Sequence, residues 1–212
     1  VRRRCSGEPL QYILGSTAFY GLELKVGPGV LVPRHETEEL VEMVLAAPLV
    51  DGPVCDVCTG SGCIAAALAV NFSPARFVYG LELEIDALGY AAENLKSLAP
   101  HHTQLVRSDL LDCFCGCGCF ALITSNPPYI AMGERGSLSS TVRDYEPAAA
   151  LFAEDQGLSV YRRLVVQAYG CLLPGGLFVT EIGYDQGEAV RLMLIAAGFT
   201  DVEVQRDYQD RD

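Results

Sequence analysis

The sequence predicts an α/β protein with a mostly parallel, doubly wound sheet covered by helices on both faces. From residue 53 onward, short apolar runs alternate with longer amphipathic segments, and turns containing Gly or Pro separate them. This alternation is typical of βαβ units, in which helices connect parallel strands. The chain has 212 residues and is 50% hydrophobic, which suits one globular domain with a small N-terminal appendage.

The periodicity of the apolar residues gives the expected elements in order. Strands are predicted at 53–57, 77–82, 103–107, 121–125, 177–182 and 202–206. Helices are predicted at 63–71, 85–98, 158–172 and 187–197. The stretch LPGGLF, residues 173–178, predicts a helix end followed by a strand start, and residues 131–156 predict a long loop beside the ligand crevice.

The N-terminal segment predicts a β-hairpin that precedes the alternating region. Residues 10–26 carry a strand-like pattern that Gly15 and Gly21 interrupt. The following stretch, GPGVLVPRHETEELVEMVLAA, predicts a loop that runs into a helix, because its acidic residues suit a helix N-terminus. We therefore expect residues 1–35 to form a linker and hairpin, and residues 36–212 to form the catalytic domain.

The charge and hydropathy of the sequence argue against nucleic acid and membranes as binding partners. The formal net charge is −12, and basic residues cluster only at Arg2, Arg3 and Arg4, which disfavours binding to nucleic acid through its phosphates. The longest purely apolar run, residues 64–70, is too short to cross a bilayer, and no signal peptide is visible. We expect no membrane partner.

The chain contains nine cysteines, and several of them lie in the run CFCGCGC at residues 113–119. No second Cys or His pair follows at the spacing of a structural zinc site, so we predict no metal, with soft-metal binding at this run as the open alternative. Cys55 and Cys58 are expected on opposite faces of a strand and its exit. Buried, reduced thiols predict a cytoplasmic protein.

Polar residues follow three of the predicted strands, where an open α/β sheet binds its ligands. The turn DVCTGSG after the first strand allows close approach of a nucleotide, and Glu82 follows about twenty residues later, where a carboxylate can accept ribose hydroxyls. Asp109 and Leu110 end the third strand and suit an adenine amino group and ring. Alternatively, Glu82 and Asp109 are solvated caps, and Asp56 only holds the turn in shape.

The fourth strand ends in the stretch ITSNPPYIA, residues 123–131. Two prolines cannot continue a central strand, because they fix φ and donate no backbone hydrogen bond. Asn126 therefore begins a stiff, extended turn with Tyr129 just beyond it. Either the turn is only a rigid exit from the sheet, or it is a clamp whose amide and carbonyl groups face a ligand.

This order of motifs resembles a class I S-adenosylmethionine-dependent methyltransferase with a Rossmann-like fold. NPPY is similar to the motif of enzymes that methylate adenine N6 or the glutamine side-chain amide. GEPLQYILGSTAFYGLELKV, LVPRHETEELVE and RDYEPAAALFAEDQGL resemble the release-factor glutamine methyltransferase family (PrmC/HemK) across nearly the whole chain. The resemblance implies that S-adenosylmethionine methylates N5 of the glutamine in the Gly-Gly-Gln loop of peptide chain release factors.

The resemblance also implies the roles of individual residues. Asn126 and Pro127 would accept the two amide N–H bonds, and Tyr129 would wall the pocket, so these three residues are the expected catalytic group. Substrate contacts are expected from Asn126, Pro127, Pro128 and Tyr129. Cofactor contacts are expected from Asp56, Cys58, Thr59, Gly60, Ser61, Gly62, Glu82, Asp109, Leu110 and Asn126. For Arg34, gripping the substrate and organising its loop both remain open.

The chain departs from the family pattern at several points. Cys58 stands where the family usually has glycine, and Glu82 stands where Asp is common. Most of the family's N-terminal helical domain and its last strand are not seen, so we expect a C-terminally extended chain to be more stable. The open alternatives are methylation of a ribosomal-protein glutamine, N6-adenine methylation, and an inactive cofactor-binding module.

Overall fold

The structure is a computed structural model that describes residues 1–114 and 116–205. The α-helices are α1 (Arg2–Cys5), α2 (Leu10–Leu14), α3 (Glu36–Ala46), α4 (Cys63–Asn71), α5 (Ile85–Leu98), α6 (Ser140–Tyr145), α7 (Ala148–Leu151), α8 (Ser159–Cys171) and α9 (Gly187–Ala197). The strands are β1 (Ser16–Phe19), β2 (Leu22–Lys25), β3 (Val54–Val57), β4 (Val78–Glu82), β5 (Thr103–Arg107), β6 (Phe120–Ser125), β7 (Ile130–Ala131), β8 (Phe152–Ala153) and β9 (Leu172–Thr180). A 3₁₀-helix spans Met132–Ser137.

The central sheet has five parallel strands in the order β5-β4-β3-β6-β9. The strand order reverses at β3, which pairs with β4 on one side and with β6 on the other. A reversal of this kind leaves a crevice outside the carboxyl ends of the strands, because the connecting helices leave in opposite directions. The predicted doubly wound parallel sheet is therefore confirmed.

Two apolar clusters cover the two faces of this sheet. On one face, α3, α4 and α5 pack against β3 and β6 through a cluster that includes Val41, Leu68 and Leu122. On the other face, α8 contributes Leu164 and Ala168 to a second cluster. Every residue of β6 is buried, as expected for a parallel strand with both faces covered. The rigid sheet fixes the positions of the strand ends at which the site lies.

The N-terminal prediction is confirmed for the hairpin but wrong for its first residues. The hairpin pairs β1 with β2 in antiparallel register, whereas residues 10–14 form α2. Tyr12 explains the helix, because its buried hydroxyl donates to the carbonyl oxygen of Val30 at 2.5 Å. The hairpin is fastened to α5, whose Asn94 side chain exchanges two hydrogen bonds with the backbone of Lys25.

The segment at 131–156, predicted to be a loop, instead contains short regular elements. The 3₁₀-helix, α6 and α7 follow one another, and β7 pairs with β8 in a two-residue parallel ladder. We call residues 130–153 the lid, because they follow the proline turn and cover the crevice beside it. Each of these elements is too short for its apolar residues to show a helical or strand period, so the sequence predicted a loop.

The C-terminal predictions are partly wrong. The predicted strand at 177–182 is observed as β9, whose regular pairing with β6 resumes at Leu177 after a register shift at residues 173–176. Residues 202–205 form no strand, and Arg206 lies outside the described residues. A strand needs a ladder partner, and in the described part of the chain β9 pairs only with β6.

Candidate functional site

A cavity of about 460 Å³ lies at the carboxyl ends of β3, β4 and β6, at the point where the strand order reverses. Its wall brings together nine of the thirteen residues predicted to bind cofactor or substrate, without Asp56, Gly62, Pro127 and Tyr129. The nine are Cys58, Thr59, Gly60, Ser61, Glu82, Asp109, Leu110, Asn126 and Pro128. The sequence separation of these residues is large, so the topology of the sheet is what gathers them.

The glycine-containing turn after β3 forms the floor of this cavity. Gly60 and Gly62 have φ values of +57° and +79°, and the Cα of Gly62 packs close to Ala91 of α5. Cys58 also has a positive φ, +59°, in a region that L-residues with a Cβ rarely adopt. The hydroxyl of Ser61 is buried and has no hydrogen-bond partner among the described residues. The turn thus offers a polar atom that a ligand could satisfy.

Asp56, which was predicted to contact a cofactor, lies beneath the turn and not in the cavity wall. Its side chain is fully buried. One carboxylate oxygen accepts from the hydroxyl of Thr59 and the other from that of Thr124. Burial raises the pKa of Asp56 to about 7, and these hydrogen bonds oppose the shift. Asp56 therefore supports the turn, which was the alternative interpretation.

Glu82 combines a position on the cavity wall with a structural task. Its Oε2 accepts from the backbone N–H of Gly60 at 2.9 Å. Its Oε1 accepts from the N–H groups of Leu83 and Glu84 at 2.8 and 3.0 Å. A carboxylate has about four acceptor positions, so one position remains available for a ligand hydroxyl. Glu82 therefore also joins the glycine-containing turn to the end of β4.

Asp109 and Leu110 line the cavity just beyond the carboxyl end of β5, next to the end of β4. Asp109 accepts a hydrogen bond from Arg163 of α8 at 2.8 Å, and Arg163 also lines the cavity. This ion pair raises the pKa of the Arg163 guanidinium. Leu110 is buried and presents an apolar surface beside it. The pair could recognise a flat ring that carries a polar edge.

The proline turn directly follows β6 and divides two cavities. Asn126 and Pro128 line the 460 Å³ cavity, whereas Tyr129 lines a larger one of about 1040 Å³, and Pro127 is buried between them. The side-chain amide of Asn126 donates to Glu181 Oε2 at 2.8 Å and to Thr37 Oγ1 at 3.1 Å. Within the described part of the chain, no donor reaches Asn126 Oδ1.

Glu181 connects both side chains of the proline turn. It follows the last residue of β9, and its Oε1 accepts from the hydroxyl of Tyr129 at 3.1 Å. Its Oε2 accepts from Thr37 Oγ1 at 2.6 Å. Burial raises the pKa of Glu181, and the hydrogen bonds from Thr37, Tyr129 and Asn126 oppose that shift.

A second support fastens the exit of the turn to residues 156 and 157, which follow the lid. The side-chain amide of Gln186 donates to the carbonyl oxygens of Tyr129 at 2.9 Å and Gln156 at 3.2 Å. Gly157 has a φ of +84° and passes so close to the Tyr129 carbonyl that a Cβ at this position would overlap it. Only glycine fits there without a backbone shift.

Arg34 lines both cavities and joins the loop before α3 to the lid. Its Nη2 donates to both carboxylate oxygens of Glu146 at 2.8 Å. The backbone N–H of Val32 donates to the same carboxylate at 3.3 Å. The Glu146 side chain is only 1% exposed, so Arg34 supplies the charge that this buried carboxylate requires. Organisation of the loop is therefore the role that the contacts of Arg34 indicate.

Two cysteines of the run, Cys117 and Cys119, directly precede the amino end of β6, whereas both cavities lie near the carboxyl ends of the strands. Cys117 Sγ and Cys119 Sγ approach to 2.7 Å, close to the start of β6. Within residues 1–114 and 116–205, no group of three or more Cys, His, Asp or Glu side chains is arranged to hold a metal ion. Cys115 lies outside the described residues. Cys55 is buried, as predicted.

Sequence reasoning did not single out four residues that the structure brings to the site. They are Thr37, Arg163, Glu181 and Gln186. Glu181 could have been found by the rule that strand ends carry site residues, but the predicted strand ran to residue 182 and placed it inside.

No helix in the part of the chain that the structure describes is long and apolar enough to cross a membrane.

Comparison with known proteins agrees with this arrangement. Residues 35–143 match the family described as Methyltransferase small domain. The release factor glutamine methyltransferase of Vibrio cholerae serotype O1 is 42% identical over 213 residues, covering 100% of this chain and 74% of that protein. The protein of the same name from Escherichia coli strain K12 is 39% identical over 214 residues, covering 100% of this chain and 76% of that protein.

Solved structures show the same fold. The crystal structure of a methyltransferase from Pyrococcus furiosus superimposes with a TM-score of 0.62 at 18% identity. The aligned region covers 94% of this chain and 89% of that chain. At this identity the likeness concerns the architecture of the sheet and helices alone.

Proposed function

Because the chain belongs to the release factor glutamine methyltransferase family, we propose that it transfers a methyl group from S-adenosylmethionine to a glutamine side-chain amide. The substrate is the glutamine of the Gly-Gly-Gln loop in peptide chain release factors. The single observation that supports this chemistry best is the outward-facing carbonyl oxygen of Asn126 beside the smaller cavity. We also propose that the protein acts in the cytoplasm, where translation takes place.

The smaller cavity fits S-adenosylmethionine by the chemistry of its wall. The positive-φ turn brings backbone close to a ligand, and the buried Ser61 hydroxyl is left for a ligand to satisfy. Glu82 would accept a ribose hydroxyl at its remaining acceptor position, and Asp109 with Leu110 would take the adenine amino group and ring. Cys58, Thr59, Gly60 and Gly62 would complete the contacts. When bound, the cofactor supplies a methyl group on a positively charged sulfur.

An amide nitrogen is a weak nucleophile, and the proline turn would compensate for this by holding and orienting it. The amide lone pair is delocalised into the carbonyl group, so the nitrogen must be held and helped to become pyramidal. Asn126 Oδ1 and the Pro127 backbone carbonyl would accept the two N–H bonds, and Pro128 and Tyr129 would bound the pocket. Because the prolines fix the turn, both acceptors are in place before the substrate arrives.

The same acceptors stabilise the charge that develops during transfer. The amide nitrogen, held by Asn126 and Pro127, would use its lone pair to take the methyl group that the bound cofactor would supply, and the electrons of the carbon–sulfur bond would stay on sulfur. The nitrogen becomes positive and then loses one proton to water, which leaves N5-methylglutamine. Fixed dipoles of Asn126 and Pro127 stabilise this positive nitrogen without reorganising, so no strong base is needed.

One assay tests the proposed function. The protein is incubated with labelled S-adenosylmethionine and, separately, a release factor, a ribosomal protein fraction and adenine-containing DNA or RNA. We expect labelling of the release factor, and none when its Gly-Gly-Gln glutamine is replaced by alanine. If only a ribosomal protein or only nucleic acid is labelled, that molecule is the substrate and the release factor is not. Cofactor binding without any labelling would identify an inactive cofactor-binding module.

Glu82 gives a prediction about cofactor affinity. Glu82→Ala removes the ribose acceptor and also frees three backbone N–H groups. We expect the Kd for S-adenosylhomocysteine to rise roughly 10- to 100-fold, since a hydrogen bond to a charged group contributes about 1.5–3 kcal/mol. Calorimetry measures this Kd. The matched control is Glu93→Ala, an exposed carboxylate on α5 that lines neither cavity, for which we expect less than a threefold change. An unchanged Kd for Glu82→Ala would remove Glu82 from the site.

Cys58 gives a prediction about backbone strain. Both Cys58→Gly and Cys58→Ala remove the thiol, but only glycine adopts the observed φ of +59° without steric cost. We expect the free energy of unfolding of Cys58→Gly to be about 1 kcal/mol higher than that of Cys58→Ala. Urea denaturation of the two variants measures the difference. Equal stabilities would mean that the turn relaxes when the side chain is removed.

A further inference from the structure

Glu181 occupies a fixed place behind the proline turn. Its backbone N–H donates to the carbonyl oxygen of Ser125, the residue before Asn126, at 3.0 Å. Its own carbonyl oxygen accepts from the hydroxyl of Tyr161 at 2.7 Å, and Tyr161 is fully buried in α8. The backbone of Glu181 is therefore held from both sides by the sheet and the helix layer, so the fold sets where its side chain begins relative to the turn.

The hydrogen bonds around Asn126 determine which way its amide faces. Thr37 has one hydroxyl proton, and it donates that proton to Glu181 at 2.6 Å. The Thr37 oxygen can therefore only accept from Asn126, and the carboxylate oxygen can also only accept. Both protons of the Asn126 amide are used by these two acceptors. Turning the amide over would place its carbonyl oxygen against two acceptors with no proton between them.

The consequence concerns the carbonyl end of Asn126. With its nitrogen fixed toward Glu181 and Thr37, Oδ1 must point away from them, and within the described residues no donor occupies it. The other carboxylate oxygen of Glu181 holds the hydroxyl of Tyr129 at 3.1 Å. One carboxylate thus orients both polar side chains of the turn.

We propose that Glu181 is the positioning residue of the methyl-transfer site, which fixes Asn126 so that its carbonyl oxygen is presented to the substrate amide. This proposal rests on the proposed function, because it explains how the substrate acceptor is oriented. The negative charge also polarises the Asn126 amide through its N–H group, which strengthens Oδ1 as an acceptor. A positive charge forming on the substrate nitrogen is stabilised by the same polarisation.

Two substitutions separate orientation from charge. Glu181→Ala removes both carboxylate oxygens, so the Asn126 amide loses its fixed partner. Glu181→Gln keeps the shape and one carbonyl oxygen that can accept from Asn126 and Thr37, while its new amide can donate to the Tyr129 hydroxyl oxygen. We expect kcat to fall roughly 10- to 100-fold in Glu181→Ala, because misplacement of a reacting group by about 1 Å can cost 10²-fold. Glu181→Gln is expected to lose less, about 3- to 10-fold.

The first measurement compares steady-state constants with a release factor as substrate. In both variants we expect the KM for the release factor and the calorimetric Kd for S-adenosylhomocysteine to stay within about threefold of the parent values. The matched control is Asp185→Ala, an exposed carboxylate on the same cavity wall, which should leave kcat unchanged. A kcat within twofold of the parent in Glu181→Gln and Glu181→Ala would overturn the proposal. If Glu181→Ala does not fold, the kcat of Glu181→Gln alone decides the test.

The second measurement is a double-mutant cycle with Asn126→Ala. If Glu181 acts through Asn126, Glu181→Ala should lower kcat less than about threefold once Asn126 is already alanine, because the two changes remove the same interaction. A loss of the full 10- to 100-fold in that background would show that Glu181 acts independently of Asn126 and would overturn the assignment.

The third measurement does not depend on the substrate. The two side-chain amide protons of Asn126, identified in a ¹H–¹⁵N NMR spectrum by their loss in Asn126→Ala, should exchange slowly with solvent in the parent protein. Exchange at least tenfold faster is expected in Glu181→Ala, which removes the acceptor, and an exchange rate equal to that of the parent in this variant would overturn the proposal. If the parent labels no release factor but these protons behave as expected, the proposed substrate is wrong and the positioning role of Glu181 stands.

Discussion

Replacing Asn126 with alanine is expected to lower kcat for release-factor methylation roughly 10²- to 10³-fold, by analogy with removal of one preorganised hydrogen-bonding group from an oxyanion hole. The substitution deletes the oxygen that we propose accepts a substrate N–H. It leaves both prolines, the glycine-containing turn and Glu82 in place. The Kd for S-adenosylhomocysteine should therefore change only a few-fold. Single-turnover and steady-state kinetics with a release factor measure the loss.

The control for Asn126 is a second asparagine with a purely structural hydrogen bond. Asn71 donates to the carbonyl oxygen of Ala67 at the end of α4, so Asn71→Ala should leave kcat unchanged. If Asn126→Ala keeps kcat within a few-fold of the parent, Asn126 is a structural turn residue. The interpretation of NPPY as only a rigid exit from the sheet would then be correct.

Arg34→Met is expected to destabilise the protein by about 3 kcal/mol, because removing one member of a buried ion pair leaves the other charge uncompensated. Methionine preserves much of the length and apolar volume of the arginine side chain. It leaves the Glu146 carboxylate with the single backbone N–H of Val32 at 3.3 Å. Urea denaturation monitored by circular dichroism measures the free energy of unfolding.

Two further variants show whether burial of the partner is the cause. Arg34→Met combined with Glu146→Gln removes the unpaired charge, so it should recover at least half of the lost stability. Arg191 is exposed to a similar degree, 36% against 34% for Arg34, but its partner Glu188 is 69% exposed. We expect Arg191→Met to have no measurable effect on stability. A stable Arg34→Met with reduced substrate affinity would instead assign Arg34 to gripping the substrate.

Local patterns in the sequence were sufficient for most of the fold. The helices at 63–71, 85–98 and 187–197 were predicted with the bounds that the structure has. The last two carry several turns of regular apolar spacing, and the first is a continuous apolar run that follows a glycine turn. The parallel sheet followed from their alternation with strands, and the family resemblance is confirmed by relatives that cover the whole chain. The division of the chain at residue 35 stays a prediction.

The errors fell where local pattern carries little information. Residues 10–14 form a helix because Tyr12 bonds to Val30, and the lid contains helices too short to show a period. Residues 202–205 read as a strand from their composition, yet a strand forms only where a neighbouring strand offers backbone partners. Cys58 was correctly singled out as unusual in a glycine turn, since a positive φ is a property of the turn itself.

The sequence by itself determined where Asn126 lies, because two prolines end a strand by their own covalent geometry and place the residue before them at the edge of the sheet. Only the tertiary structure decided which way its amide faces. That orientation depends on Glu181, 55 residues later, and on Thr37, 89 residues earlier. The pairing of Arg34 with Glu146 spans 112 residues. Contacts over such separations have no periodicity or local propensity, and they exist because the parallel sheet brings distant strand ends to one edge.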